Sequence, residues 1–83
     1  MASREEVYAA VLEILWQLAP AAAHRPLDEA TNLVQSGLLD SFEFLAMIGK
    51  LEERFGTTID IGQVDFETFT TIGGMCSAVQ SQP

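Results

Sequence analysis

Gly37-Leu38-Leu39-Asp40-Ser41-Phe42-Glu43 is the stretch on which the fold turns. Asp40 has the short acceptor side chain of a helix N-cap, and Glu43 stands three residues on, where a capping box needs it. Ser41 then occupies the first helical position with its hydroxyl directed outward. The backbone N–H groups beside it favour a phosphate that approaches or is attached. The helix that follows is predicted over Ser41 to Phe55 and stops at Gly56. Phe44, Met47, Ile48, Leu51 and Phe55 fall within one third of its wheel and form the core face. The other side carries Phe42, Ala46, Gly49 and Glu53, with Leu45 and Glu52 on the flank nearest Ser41. A glycine in mid-helix costs about 1 kcal/mol relative to alanine. A face poor in long polar residues and containing Gly49 suits close contact with another protein.

Upstream, Ser3 with Glu6 in the box position opens a helix that runs to about Leu18. Val7, Val11, Ile14 and Leu18 are spaced as one buried seam, flanked by Tyr8 and Leu15. Trp16 falls nearly opposite, where packing against the next loop is expected and use by a partner is the alternative. Ala19 to Pro26 is a Pro/Ala-rich connector, since Pro20 makes helix continuation costly. Leu27 to Leu39 has no clear period and reads as a long loop pinned by Leu27, Leu33, Val34, Leu38 and Leu39. Thr57 to Ile61 is β-branched but has no second strand to pair with, so an extended loop is expected. Gln63 to Thr68 is predicted as a short third helix anchored by Val64, Phe66 and Phe69. A final helix begins after Thr70 or Thr71, with Ile72, Met75, Cys76 and Val79 at helical spacing and a first turn weakened by Gly73 and Gly74. Residues 80–83 are expected to fray. The fold class is therefore all-α: a small helical bundle of three main helices and one short one, with a long loop between the first two. Residues 1–83 are expected to form one domain.

Composition limits the function. Eighty-three residues suffice for one core that buries about 60–65% of the unfolded surface. Twelve acidic against four basic residues give a net charge of −8. That charge disfavours nucleic acid and anionic membranes, which need clustered Lys and Arg. It suits steering toward basic protein surfaces, and it also keeps any small domain dispersed, in keeping with a monomer. The single cysteine, Cys76, allows no internal disulfide. No signal peptide and no membrane-length apolar run is seen, so a cytoplasmic location is expected.

Catalysis finds little support. Ser41 lacks the Gly-x-Ser-x-Gly elbow, and the lone His24 lies in the connector. Carboxylate pairs such as Glu5/Glu6, Asp28/Glu29 and Glu52/Glu53 lie on predicted surfaces with no pocket to shift them. Asp60 to Thr71 has the length of a calcium loop, but Gly62 and Val64 stand at ligand positions and no glutamate closes it. No catalytic residue and no metal site is expected, nor any Gly-rich phosphate loop.

The segment Asn32-Leu33-Val34-Gln35-Ser36-Gly37-Leu38-Leu39-Asp40-Ser41, followed by Leu51-Glu52-Glu53-Arg54-Phe55-Gly56, resembles the acyl and peptidyl carrier proteins over nearly the whole chain. The family's Asp-Ser-Leu motif keeps its Asp-Ser pair here, with Phe42 in the third place. The resemblance implies that a phosphopantetheinyl transferase attaches 4′-phosphopantetheine from coenzyme A to Ser41, with Asp40 taking part in recognition. It places Phe42, Leu45, Ala46, Gly49, Glu52 and Glu53 on the partner-facing helix, and Ile61, Phe66 and Ile72 beside the arm and its cargo. The chain would then be a free-standing, non-catalytic carrier. It would meet an adenylating or acyltransferase loading enzyme and downstream synthase or tailoring enzymes. Phe44, Ala46, Gly49 and Lys50 interrupt the acidic second helix usual in fatty-acid carriers. Gly37-Leu38-Leu39-Asp40-Ser41 and Asp65-Phe66-Glu67-Thr68-Phe69 look more like carriers of specialised pathways. The expectation is an aminoacyl or short acyl thioester in polyketide or nonribosomal peptide synthesis. The alternatives are a fatty-acid or D-alanyl carrier and, in another class, an unmodified helical interaction domain.

Overall fold

In the computed structural model, which describes residues 2–60, 62 and 65–81, four helices enclose one apolar core. They are α1 (Arg4–Leu18), α2 (Ser41–Phe55), the single turn α3 (Phe66–Phe69) and α4 (Ile72–Gln80). α1 packs most extensively on α4 and next on α2, and α3 leans on α4. This is the helical bundle expected, with three main helices and one short one.

α1 starts where its cap predicts, the Ser3 hydroxyl accepting from the Glu6 N–H at 3.1 Å. Val7, Val11 and Ile14 are buried as the seam requires, but so are Ala10 and Leu15, while Leu18 is half-buried. The buried stripe is thus wider than four residues, because α1 faces two helices rather than one. The connector contains a 3-10 turn, Pro20–His24, with Pro20 at its start and Ala22 buried. Trp16 keeps 42% of its surface exposed, contrary to the expected loop cover.

The long loop is fixed by more than its leucines. Leu33 and Leu39 are buried, and Leu27, Val34 and Leu38 pack partly against the core. In addition Asn32 and Thr71 form an isolated antiparallel bridge. The Leu33 N–H donates to the Thr70 carbonyl at 2.8 Å, and the Ile72 N–H to that of Thr31 at 3.1 Å. The Asn32 side chain donates to Thr70 Oγ1 at 2.6 Å and accepts from the N–H groups of Val34 and Gln35. Backbone groups that the loop leaves out of helices thereby find partners, as buried polar groups must.

These contacts also give Gly73 and Gly74, expected only to weaken the first turn of α4, a steric role. A Cβ at Gly74 would stand 1.8 Å from the Thr68 carbonyl oxygen, and one at Gly73 2.9 Å from the Glu29 Cβ. The glycines are what allow α3, the loop and α4 to meet. Arg4 binds the same region from α1: its guanidinium pairs with Glu29 and donates to Ser77 Oγ and Gln80 Oε1 at 3.1 Å each and to the Gly73 carbonyl at 3.2 Å. The pair holds Glu29 below the ordinary carboxylate range and raises Arg4, the hydrogen bond between them being the main cause. Cys76 is fully buried, and burial pushes its thiol up. No helix among the described residues is long and apolar enough to cross a membrane.

Candidate functional site at the start of α2

The chain reaches α2 through a turn whose geometry only a few residue types tolerate. Gly37 has φ of +81°, in the left-handed region, and its N–H donates to the Val34 carbonyl at 3.1 Å. Leu39 then plunges into the core, its N–H bonded to the Leu33 carbonyl at 2.9 Å. With Leu39 anchored inside, Asp40 and Ser41 are delivered to the surface.

The capping box is complete. Asp40 Oδ1 accepts from the Glu43 N–H at 2.7 Å, and Glu43 Oε1 accepts from the Asp40 N–H at 3.0 Å. One of the orphan donors of the first turn is thus satisfied locally. The N–H groups of Ser41 and Phe42 have no acceptor among the described residues, and neither does the Ser41 hydroxyl. A solvent-facing hydroxyl therefore sits beside two open N–H donors at the positive end of a 15-residue helix. α1 leaves similar donors open behind Ser3, but its first helical residue is Arg4, and Ser3 spends its hydroxyl on the cap.

As chemistry, this arrangement offers an exposed hydroxyl to which a group can be joined. The Asp40 carboxylate is occupied with the Glu43 N–H, and no described histidine, lysine or other base is bonded to Ser41. His24 is exposed in the 3-10 turn. Among the described residues no group of three His, Cys, Asp or Glu side chains is placed to hold a metal ion.

Around Ser41 the surface is unusually apolar. Phe42 is 84% exposed and Leu45 56%, with Ala46, Gly49 and Glu53 also at the surface. A Cβ at Gly49 would meet nothing within 4 Å, so the surface there is open. Glu52 is half-buried, and its Oε2 accepts from the Ile59 N–H at 2.7 Å. Its carboxylate thus pins the segment after α2, a role the sequence did not suggest. Phe66 is 59% exposed, yet it meets Phe44 edge-on at 6.2 Å, and Phe44 meets Phe69 at 5.5 Å. This train of rings runs from the core to the surface through Phe44, near the start of α2. Ile72 is fully buried and belongs to the core. Ile61, expected near the arm, lies outside the described residues, as do Gln63 and Val64, the start of the expected third helix.

A family model described as a phosphopantetheine attachment site matches residues 9–79, a span that includes α2 and most of α1 and α4. No curated protein matches the chain.

Proposed function

The chain belongs to the phosphopantetheine-attachment family, and on that premise we propose that it is a carrier whose 4′-phosphopantetheine is joined to Ser41. One observation carries the assignment: an unpartnered, exposed hydroxyl at the first position of α2, flanked by the open N–H groups of Ser41 and Phe42. The residues present fit the group. With coenzyme A as donor, the hydroxyl oxygen would bond to the phosphorus bearing the pantetheine arm as the pyrophosphate P–O bond breaks and 3′,5′-adenosine bisphosphate leaves, the hydroxyl proton passing to a base of the transferase; the open donors and helix dipole favour the phosphate charge left there. When bound, the arm supplies a terminal thiol that holds cargo as a thioester.

The protein's own residues do the rest without catalysis. Asp40 keeps the cap closed through Glu43, so the first turn stays formed whether or not the arm is attached. Asp40 is also placed to be read by the phosphopantetheinyl transferase. Phe42, Leu45, Ala46 and Gly49 offer a shallow apolar surface to loading and downstream enzymes, and Glu53 offers a charge. Glu52 acts through the Ile59 segment that it holds. A small contact area with steering charges gives fast encounter and fast release, which a shuttle requires. Tethering raises the effective concentration of cargo at each enzyme without new contacts.

For cargo we favour an aminoacyl or short acyl group of a polyketide or nonribosomal peptide pathway. The support is the interrupted, partly apolar outer face of α2 and a core filled by Phe44 and Phe69. A fatty-acid or D-alanyl carrier is the other reading.

Intact mass after incubation with coenzyme A and a promiscuous transferase is the test. Wild type should gain one phosphopantetheine and Ser41→Ala none, with the fold altered by less than about 0.5 kcal/mol. An unmodified wild type across several transferases would leave an interaction domain, and a modified Ser41→Ala would move the site. Loading the modified chain with acyl groups of rising length then tests cargo. Amide shifts confined to the surroundings of Ser41 fit a short group, whereas shifts spreading through α2 and α4 with chain length fit a fatty chain.

A further inference from the structure

The first helix carries an apolar surface that the carrier reading does not use. Tyr8, Leu12 and Trp16 follow one another in steps of four along α1, with Ala9 beside them, on a flank that leads from the core, against which Tyr8 and Leu12 partly pack, out to the surface at Trp16. Trp16 is 42% exposed and Ala9 is also at the surface, while Tyr8 and Leu12 are half-buried. The other flank of α1 carries the exposed Glu6, Glu13 and Gln17, so its apolar surface extends beyond the seam on one side alone. Here Tyr8, Ala9 and Leu12 floor an open groove of about 550 Å³ whose far wall is the Asp28–Glu29 turn. Its rim bears three carboxylates, Glu5, Asp28 and Glu29, against one guanidinium, Arg4. That guanidinium is already paired with Glu29, so Glu5 and Asp28 leave the rim negative.

We propose that this face of α1 is a second docking surface, for a basic amphipathic segment of a partner protein whose apolar side chains enter the groove. Charge selects the occupant. A second copy of the chain would set acidic rim against acidic rim, with a net charge of −8 on each side, and anionic lipid is repelled likewise. Lysine or arginine flanking an apolar residue meets both the floor and the rim. The surface is separate from Ser41 and its neighbours on α2, so it holds a partner while the arm remains free to work.

The chain contains one tryptophan, and Trp16, one helical turn beyond Leu12 at the end of the groove's floor, reports by fluorescence on a segment that lies along this face. The probe is a synthetic amphipathic leucine–lysine helix, with a leucine–glutamate helix as control, titrated into the full chain with and without the arm. The expected result is a saturable blue shift with the lysine peptide alone, weakened by salt, in both forms of the protein. Amide shifts should gather at Tyr8, Leu12, Asp28 and Glu29 rather than at Phe42 and Leu45. Glu5→Lys and Ala9→Lys, both at exposed positions, should each weaken binding about five- to tenfold and leave modification of Ser41 unchanged. Unmoved Trp16 emission, shifts gathered on α2, equal binding by the variants, or self-association that covers Trp16 without peptide would each overturn the proposal. None of those outcomes depends on whether Ser41 accepts the arm.

Discussion

The first turns of α2 and α4 face the same problem, three backbone N–H groups with no helical partner, and meet it in opposite ways. In α4 every donor is consumed. The Ile72 N–H goes to the Thr31 carbonyl at 3.1 Å, the Gly73 N–H to that of Glu29 at 2.9 Å, and the Gly74 N–H to Thr71 Oγ1 at 3.0 Å. Two of those acceptors come from a loop some forty residues away in sequence. In α2 only the Glu43 N–H is taken, by the Asp40 side chain three residues before it, and the first two have no acceptor among the described residues. One helix start is sealed by the tertiary structure. The other is closed just enough by its own sequence to remain a helix, and is otherwise left to whatever arrives. The attachment proposed for Ser41 would draw on that independence.

The contrast breaks most visibly at the glycines. Gly74→Ala would drive a Cβ against the Thr68 carbonyl, a backbone atom that cannot step aside, and should cost about 3 kcal/mol in urea unfolding. If it costs nothing, the sealed turn is not tightly built. Asp40→Ala should remove about 1 kcal/mol, and hydrogen exchange should quicken at the Glu43 amide while the amides of α4 keep their protection. Equal loosening at both helices would deny the local character of the α2 start. Gly49→Ala has open space for its methyl group and should raise stability by up to about 1 kcal/mol. If this face is approached closely by loading enzymes, the same variant should load cargo more slowly; unchanged loading would show that Gly49 has no such part.

The smallest effect is with acid. Glu29 is held below its ordinary range chiefly by the Arg4 hydrogen bond, so its ionised form favours the folded state. That contribution is present above the carboxylate's unfolded pKa and is lost as pH falls through the lowered folded value. The pair is at the surface, and salt should weaken it. Urea midpoints of wild type and Glu29→Gln should therefore differ at neutral pH and converge on acidification. A gap that widens would reverse the sign argued here.

What could be read in the chain follows the same division. α2 and both its ends were legible because Asp40, Glu43 and Gly56 act on residues within a turn of themselves; Gly56 ends it in a left-handed conformation with φ of +62°. The Asp40 cap and the outward place of Ser41 belong to that local grammar. The start of α4 at Thr71 was legible too, but its glycines read as a defect, since the atoms they accommodate belong to Thr68 and the remote Glu29. The bonds of Arg4 and the hold of Glu52 on Ile59 left no sequence signal, as both depend on where distant backbone comes to lie. Trp16 was placed correctly opposite the seam, and only the cover was misjudged. Phe66 was singled out, but its edge-on contact with Phe44 comes from the α2–α3 packing.

The clasp that Arg4 makes has a meaning for anyone rebuilding this molecule. Its guanidinium reaches Gln80 and Ser77 at 3.1 Å, so the first and last helices have their outer ends side by side. In design terms the polypeptide is nearly a ring. A short glycine-rich bridge from the end of α4 to the cap of α1 would close it. New ends opened at an exposed loop position would then give a circular permutant, with the order of its helices changed and their packing kept.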